Sequence, residues 1–272
     1  MMTPEVRTLR ELRGTLSFHP GAALALVAIV LSCCLAIPVQ MFVLRFLPSR
    51  WCFLPRSLSH LISRLIGVET EVRGIEAKGP LLLVSNHISW LDIPIIGGQC
   101  HAAFIAKSEV EGWGGISLMA RLYRSVFVDR GRPRSSMDQR NEISSRLASG
   151  DKLILFAEGT STDGTSVKPF KSALFSVAQD IDNLNIQCMT IAYTTINGMP
   201  ISRSMRPLIG WYGDMELTSH IWQILRLGKI KAVIQFHPPI RLDPSLSRKD
   251  LARLCHETVS KGLADANSGR LE

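Results

Sequence analysis

The segment Asn86-His87-Ile88-Ser89-Trp90-Leu91-Asp92 sets an imidazole and a carboxylate five residues apart, directly after the apolar run Leu81-Leu82-Leu83-Val84. An imidazole has an ordinary pKa of roughly 6.5 and can accept a hydroxyl proton near neutral pH. A carboxylate bonded to its other nitrogen would fix the tautomer and stabilise the imidazolium. His87 and Asp92 therefore have the makings of a general base and its orienting group. Five residues along a regular helix turn through about 140°, so contact between them requires an irregular first turn. Taken alone, the same residues also read as a capping Asn, a solvated His and a helix-start Asp.

Two further groups of chemically capable residues lie downstream. Phe156-Ala157-Glu158-Gly159-Thr160-Ser161 follows the strand-like Lys152–Leu155 and brings a carboxylate, a flexible glycine and two hydroxyls to another strand end. Val126-Phe127-Val128-Asp129-Arg130 ends a third apolar run. There Arg130 offers a planar, permanently charged fork to an anionic substrate group. Each is ordinary in isolation, since Glu-Gly-Thr is a common turn and Asp-Arg a common solvated strand end.

The elements that must position these groups follow from periodicity. Short β-rich runs occur at Val68–Val72, Leu81–Ser85, Ala102–Ala106, Val126–Val128, Lys152–Ala157, Gln187–Tyr193 and Lys231–Phe236. Between and after them, Ser135–Ala148, Ser172–Ile181, Met215–Leu227 and Ser247–Leu263 have helical character, the last with apolar Leu251, Leu254, Val259 and Leu263 on one stripe. Alternation of this kind predicts one α/β domain: a mixed, mostly parallel sheet flanked by helices. His87, Glu158 and Arg130 would then gather at the carboxyl ends of strands, where open α/β sheets place their chemistry.

The first third of the chain has a different character. From Gly14 through Leu44 no formally charged residue occurs, and Gly21 to Leu44 is almost wholly apolar. About 20 residues at a rise of roughly 1.5 Å cross a bilayer's hydrocarbon core, so this run is long enough to span. Pro38 could instead break it into a re-entrant or interfacial hairpin. A cleaved signal peptide fits less well, because the run exceeds the usual roughly 7–15 residues and no small-x-small site follows it. Arg7, Arg10 and Arg13 precede the run and Arg45, Arg50, Arg56 and Arg64 follow it; the balance leans towards a body in the cytoplasm. The expected division is a membrane-associating helical segment at 1–64 and an α/β domain at 65–272.

Composition narrows the partners. The 272 residues carry a formal charge of +8 and a pI near 9.4, which suits nucleic acid, anionic membrane or an acidic protein. Nucleic acid is set aside because aromatics are only 7% and no zinc-finger, RNA-recognition or helix-turn-helix signature occurs. Cys33, Cys34, Cys52, Cys100, Cys188 and Cys255 are scattered without CxxC pairs or zinc spacing, which favours reduced thiols and a cytoplasmic setting. No Gly-x4-Gly-Lys-Ser/Thr loop, dinucleotide fingerprint or His-Glu-x2-His is present, so neither metal nor nucleotide cofactor is expected. A serine hydrolase would need a Gly-x-Ser-x-Gly elbow, which is absent.

The order Asn86-His87-x4-Asp92, then Lys107-Ser108-Glu109 to Trp113-Gly114 and Phe127-Val128-Asp129-Arg130, then Phe156-x-Glu158-Gly159-Thr160, resembles the glycerolipid acyltransferase family typified by bacterial lysophosphatidic acid acyltransferases. The resemblance runs from about Leu81 to Tyr193. It implies transfer of a fatty acyl group from an acyl carrier protein or coenzyme A thioester, as co-substrate, to a lipid hydroxyl. It makes His87 the base and Asp92 its support. Asn86, Lys107, Arg130, Glu158, Gly159, Thr160 and Ser161 fall at the positions that shape the substrate site. It also implies an α/β body behind a membrane-embedding helical segment, at the bacterial inner membrane with the catalytic domain facing the cytoplasm.

Departures from the family pattern bear on the acceptor. The third motif usually reads Phe-Pro-Glu-Gly-Thr-Arg-Ser, whereas here Ala157 replaces Pro and Ser161 replaces Arg. A serine cannot supply the charged bidentate contact that the family's arginine makes to an acceptor phosphate. The fourth motif lacks its usual proline in Cys188-Met189-Thr190-Ile191-Ala192. Glu158 to Gly164, Lys168 to Phe175, and Trp211-Tyr212-Gly213-Asp214-Met215 resemble the bacterial branch that acylates lyso-ornithine lipid. The resemblance thus implies a 3-hydroxyacyl ornithine acceptor, with 1-acyl-sn-glycerol-3-phosphate as the alternative. Lys168 or Lys171 could replace the missing arginine.

Overall fold

The computed structural model describes residues 19–128, 133–181, 184–241 and 246–270, with 133–139, 177–180 and 241 given by backbone alone. Helices α1 (Pro20–Phe46) and α2 (Phe53–Ile66) lead into strands β1 (Val68–Arg73) and β2 (Leu81–Ser85). Then come α3 (Asp92–Gln99), β3 (Ala103–Lys107), α4 (Gly115–Leu122), β4 (Val126–Val128), α5 (Pro133–Ala148) and β5 (Lys152–Phe156). The remainder is β6 (Asn185–Ile196), β7 (Met199–Pro200), α6 (Leu217–Leu225), β8 (Ile230–Arg241) and α7 (Arg248–Asn267).

The strands form one sheet in the order β1-β8-β6-β2-β5-β3-β4, with β7 paired to β6. The pairs β1·β8, β6·β2, β2·β5, β5·β3 and β3·β4 are parallel, and β6 runs antiparallel to β7 and β8. The mixed, mostly parallel sheet expected from the sequence is therefore present. The apolar runs of its central strands β2 and β5 are continuous because both faces are covered there. Leu81, Leu83, Ile154 and Phe156 enter the core shared with Ile95, Ile96 and Ile224, whereas Leu82, Val84, Leu153 and Leu155 enter the core shared with Ile143, Leu147 and Val259. All five β2 residues are buried. At about 1.5–3 kcal/mol for each fully buried aliphatic side chain, these four apolar residues pin β2 firmly, and with it the position of the residues that follow.

Helix α1 runs unbroken through Pro38 for 27 residues, so that residue does not divide it into a hairpin. It packs on α2, α4 and α6 through a narrow stripe that includes Ala22, Ala36 and Gln40. Gln40 is 1% exposed, and its Nε2 donates to the carbonyls of Trp51 at 2.9 Å and Leu122 at 3.0 Å. One amide thus fastens an otherwise apolar helix to the body. All six cysteines are free.

Several further elements differ from expectation, β8 among them, which runs from Ile230 to Arg241 rather than Lys231–Phe236. The helix expected at Ser172–Ile181 is a 3-10 segment over Ser172–Asp180. It begins without a side-chain cap, and Phe175 is fully buried. Packing between α5 and α7 thus outweighs the α-helical pattern. Helices α3 and α4 were not anticipated, nor was the short β7. Strand β6 is longer than Gln187–Tyr193, because its pairing with β8 continues to Ile196.

Candidate active site

Residues 86–91 leave β2 without entering a helix, and α3 begins only at Asp92. This irregular turn folds Asp92 back over the preceding loop. Its Oδ2 meets His87 Nδ1 at 2.7 Å and accepts the backbone N–H groups of Ile88 at 2.7 Å and Ser89 at 3.0 Å. Its Oδ1 accepts the hydroxyl of Tyr193 at 2.6 Å. The Asp92 side chain is fully buried and that of His87 is 18% exposed. With Nδ1 committed to Asp92, the nitrogen left to take a proton from a substrate is Nε2. The imidazole stacks on Phe156 at 4.1 Å between ring centroids with an interplanar angle of 15°, which limits its rotation.

Two neighbours fix the backbone that carries the imidazole. Asn86 is buried and bridges to β6, its Nδ2 donating to the Ile191 carbonyl and its Oδ1 accepting the Ile191 N–H, each at 2.9 Å. Glu158, 2% exposed at the end of β5, accepts the N–H of His87 on Oε1 at 2.8 Å and that of Lys168 on Oε2 at 2.7 Å. Burial pushes the Glu158 carboxyl up to about 7, against the downward pull of those two amides. The polar atoms of Asn86 and Glu158 thus meet main chain: both residues brace the loop.

The third motif wraps the same loop. Gly159 turns the chain with φ 73°, a conformation open to glycine, and Thr162 N donates to the His87 carbonyl at 3.0 Å. Gly164, at φ 75°, lies so near Ile88 that a Cβ there would meet its side chain at 3.1 Å. Ser161 is buried and its hydroxyl donates to the Trp211 carbonyl, while the Trp211 N–H donates to the Ile88 carbonyl at 3.0 Å. Thr160 is half-buried. The Trp211–Met215 segment is thereby locked onto both the His87 loop and the position where the family carries arginine.

Strand register places the remaining residues. Ser85 pairs with Phe156 and Ile105 with Leu155, so Lys107 stands level with Asn86 at the same end of the sheet, two strands away and exposed. Lys168 and Lys171 are also exposed. Arg130 lies outside the described residues. Sequence reasoning missed Tyr193, Phe156 and Trp211 as neighbours of the dyad. Tyr193 follows the apolar Ile191-Ala192 with a polar tip in a largely buried strand, and that was the one available signal.

A histidine–carboxylate pair at the strand ends of a largely parallel sheet is an arrangement that can take a proton from a hydroxyl. Comparison with known proteins gives the class. The family described as Acyltransferase matches residues 68–196. A lyso-ornithine lipid O-acyltransferase of Brucella abortus is 40% identical over 90% of this chain and 94% of its own length. One from Rhizobium meliloti is 36% identical over 92% and 86%. A solved 1-acyl-sn-glycerophosphate acyltransferase of Thermotoga maritima shares the fold, with a TM-score of 0.53 and 19% identity over 91% of this chain and 99% of that one. The chain belongs to the acyltransferase family and is an O-acyltransferase.

Proposed function

We propose that this enzyme acylates the hydroxyl of lyso-ornithine lipid, drawing the fatty acyl group from a thioester on acyl carrier protein or coenzyme A. The observation that carries the chemistry is the His87–Asp92 contact at 2.7 Å, with Asp92 buried and fully engaged. His87 Nε2 takes the acceptor's hydroxyl proton as the oxygen forms a bond to the thioester carbonyl carbon. The electron pair of the C=O bond moves onto its oxygen, then returns as the C–S bond breaks. The departing thiolate receives the proton held by His87, so the enzyme ends as it began, without an acyl-enzyme. General-base catalysis of this kind contributes typically about 10²–10⁴-fold. Asn86, Glu158 and Gly159 set the loop geometry, and Thr160 is assigned to the acceptor site. Lys107 and Arg130 are assigned to anionic groups of the substrates.

Two observations support the acceptor. The Brucella and Rhizobium relatives carry that activity in their names. Ser161, in place of the phosphate-binding arginine, is turned into a tie with Trp211. The setting follows from α1. Leu24, Val27, Val30, Leu31, Leu35, Val39, Met41, Phe42 and Phe46 are all more than half exposed. Covering nine such side chains is worth roughly 10–20 kcal/mol, which favours a bilayer around this helix. At 27 residues it is about 40 Å long and can span one. We place residues 1–64 at the bacterial inner membrane and the domain 65–272 on its cytoplasmic side, with no metal or further cofactor.

A purified-enzyme assay with one acyl thioester and both candidate acceptors tests this reading. Lyso-ornithine lipid is the expected acceptor; transfer to 1-acyl-sn-glycerol-3-phosphate with none to lyso-ornithine lipid would replace it with the alternative. Full activity in His87→Ala would remove the proposed base.

A further inference from the structure

We propose that Tyr193 is a positioning residue of the acyl-transfer site, whose phenol holds the Asp92 carboxylate in the orientation that presents Oδ2 to His87. This rests on the reading of His87 as base. Asp92 has two oxygens in a site that excludes water from both. Oδ2 is shared among His87 Nδ1, Ile88 N and Ser89 N, whereas Oδ1 is met by the Tyr193 hydroxyl at 2.6 Å. A carboxylate held on Oδ2 alone resists rotation about its Cβ–Cγ bond only through the bonds on that oxygen. One held on both has a single orientation, and the tautomer of His87 depends on it.

The sequence separation of 101 residues between the two side chains shows how the hold is built. Tyr193 lies two residues beyond Ile191 on β6 and so shares its face of the sheet. Ile191 is the residue that Asn86 clamps through both its amide and its carbonyl. Strand β6 therefore grips the loop twice, at the residue before the imidazole and at the carboxylate behind it. The pairing of β6 with β8 slips between Tyr193 and Thr195, and such a bulge re-aims the adjoining side chain. The phenol is 3% exposed, and burial together with the Asp92 charge pushes its pKa well above the ordinary value, so it remains a donor.

Tyr193→Phe deletes the hydroxyl and keeps the ring. Orienting partners of functional histidines at metal sites are typically worth about 10–100-fold. By analogy, kcat should fall by roughly that factor, with KM for both substrates within about twofold of the wild type. The Nδ1–H proton resonance of His87, assigned by its absence in His87→Ala, should be displaced in Tyr193→Phe. A far-UV spectrum matching the wild type confirms that the variant is folded. A kcat within about threefold of wild type, or an unmoved Nδ1–H resonance, overturns the proposal. If His87→Ala keeps full activity, the base assignment itself fails; if it is inactive while Tyr193→Phe is unaffected, only the role of Tyr193 is lost.

Discussion

Glu158 at the end of β5 accepts the backbone N–H of His87 at the end of β2, across 2.8 Å. Its second oxygen accepts the N–H of Lys168, so one buried side chain decides where two loops go. The acidic residue of the Glu158-Gly159-Thr160 segment is therefore placed by the demand of two otherwise unpaired amides. That demand competes with burial, and burial prevails in setting its pKa at about 7.

Glu158→Gln should destabilise the protein in a pH-dependent way. The amide can accept one N–H but turns its own NH2 group towards the other, and a buried unpaired donor costs about 1–3 kcal/mol. The folded pKa of Glu158, about 7, lies above its ordinary 4.5, so proton binding favours the fold. This contribution is complete below the ordinary value and lost as pH rises through about 7. At about 1.36 kcal/mol per unit, the shift corresponds to roughly 3 kcal/mol. Thermal melts of both proteins should show the wild-type advantage largest near pH 5 and smaller at pH 8. An advantage that grows with pH would show that Glu158 is held as a carboxylate in the fold.

The centre of the sheet was legible in the sequence because β2 and β5 are buried on both faces and read as unbroken apolar runs; Leu81–Ser85 and the shorter, partly buried Val126–Val128 match the structure residue for residue. Helix α3 was not, since Asp92-Ile-Pro-Ile-Ile-Gly-Gly-Gln carries one proline and two glycines. Those glycines serve the packing: a Cβ on Gly97 would meet Ser59 Oγ at 3.1 Å, and one on Gly98 the His60 amide nitrogen at 3.3 Å. Helix α2 can then press against α3, and tertiary contact overrides propensity. The His87–Asp92 pair was visible as a spacing, and the turn that closes it is set by amides no residue type announces. Tyr193 stayed hidden because its partner is remote in sequence.

Ser161→Arg should not convert the enzyme to a phosphate-bearing acceptor. The Ser161 side chain is buried and tied to the Trp211 carbonyl, whose own N–H holds Ile88 beside the imidazole. A guanidinium there must displace Trp211, and overpacking at such a site costs typically about 1–3 kcal/mol. Initial rates with lyso-ornithine lipid and 1-acyl-sn-glycerol-3-phosphate should both fall about tenfold or more. A gain on the phosphate acceptor would mean that the Trp211 segment yields readily, and would make residue 161 a simple specificity switch.

Membrane attachment should reside in the outward stripe of α1, separately from catalysis. Leu31 and Leu35 are 57% and 72% exposed and one turn apart on the face opposite the Gln40 anchor stripe. An aspartate at the centre of a membrane helix costs about 2.5–3.5 kcal/mol on insertion scales, so Leu31→Asp/Leu35→Asp forfeits roughly 5–7 kcal/mol. The Gln40 bonds to Trp51 and Leu122 are untouched, so the body should stay folded and active on detergent-dispersed acceptor. In flotation with anionic phospholipid vesicles, the wild type should rise with the lipid and the double variant should remain largely at the bottom. Equal flotation of both proteins would show that α1 is not the element that enters the bilayer.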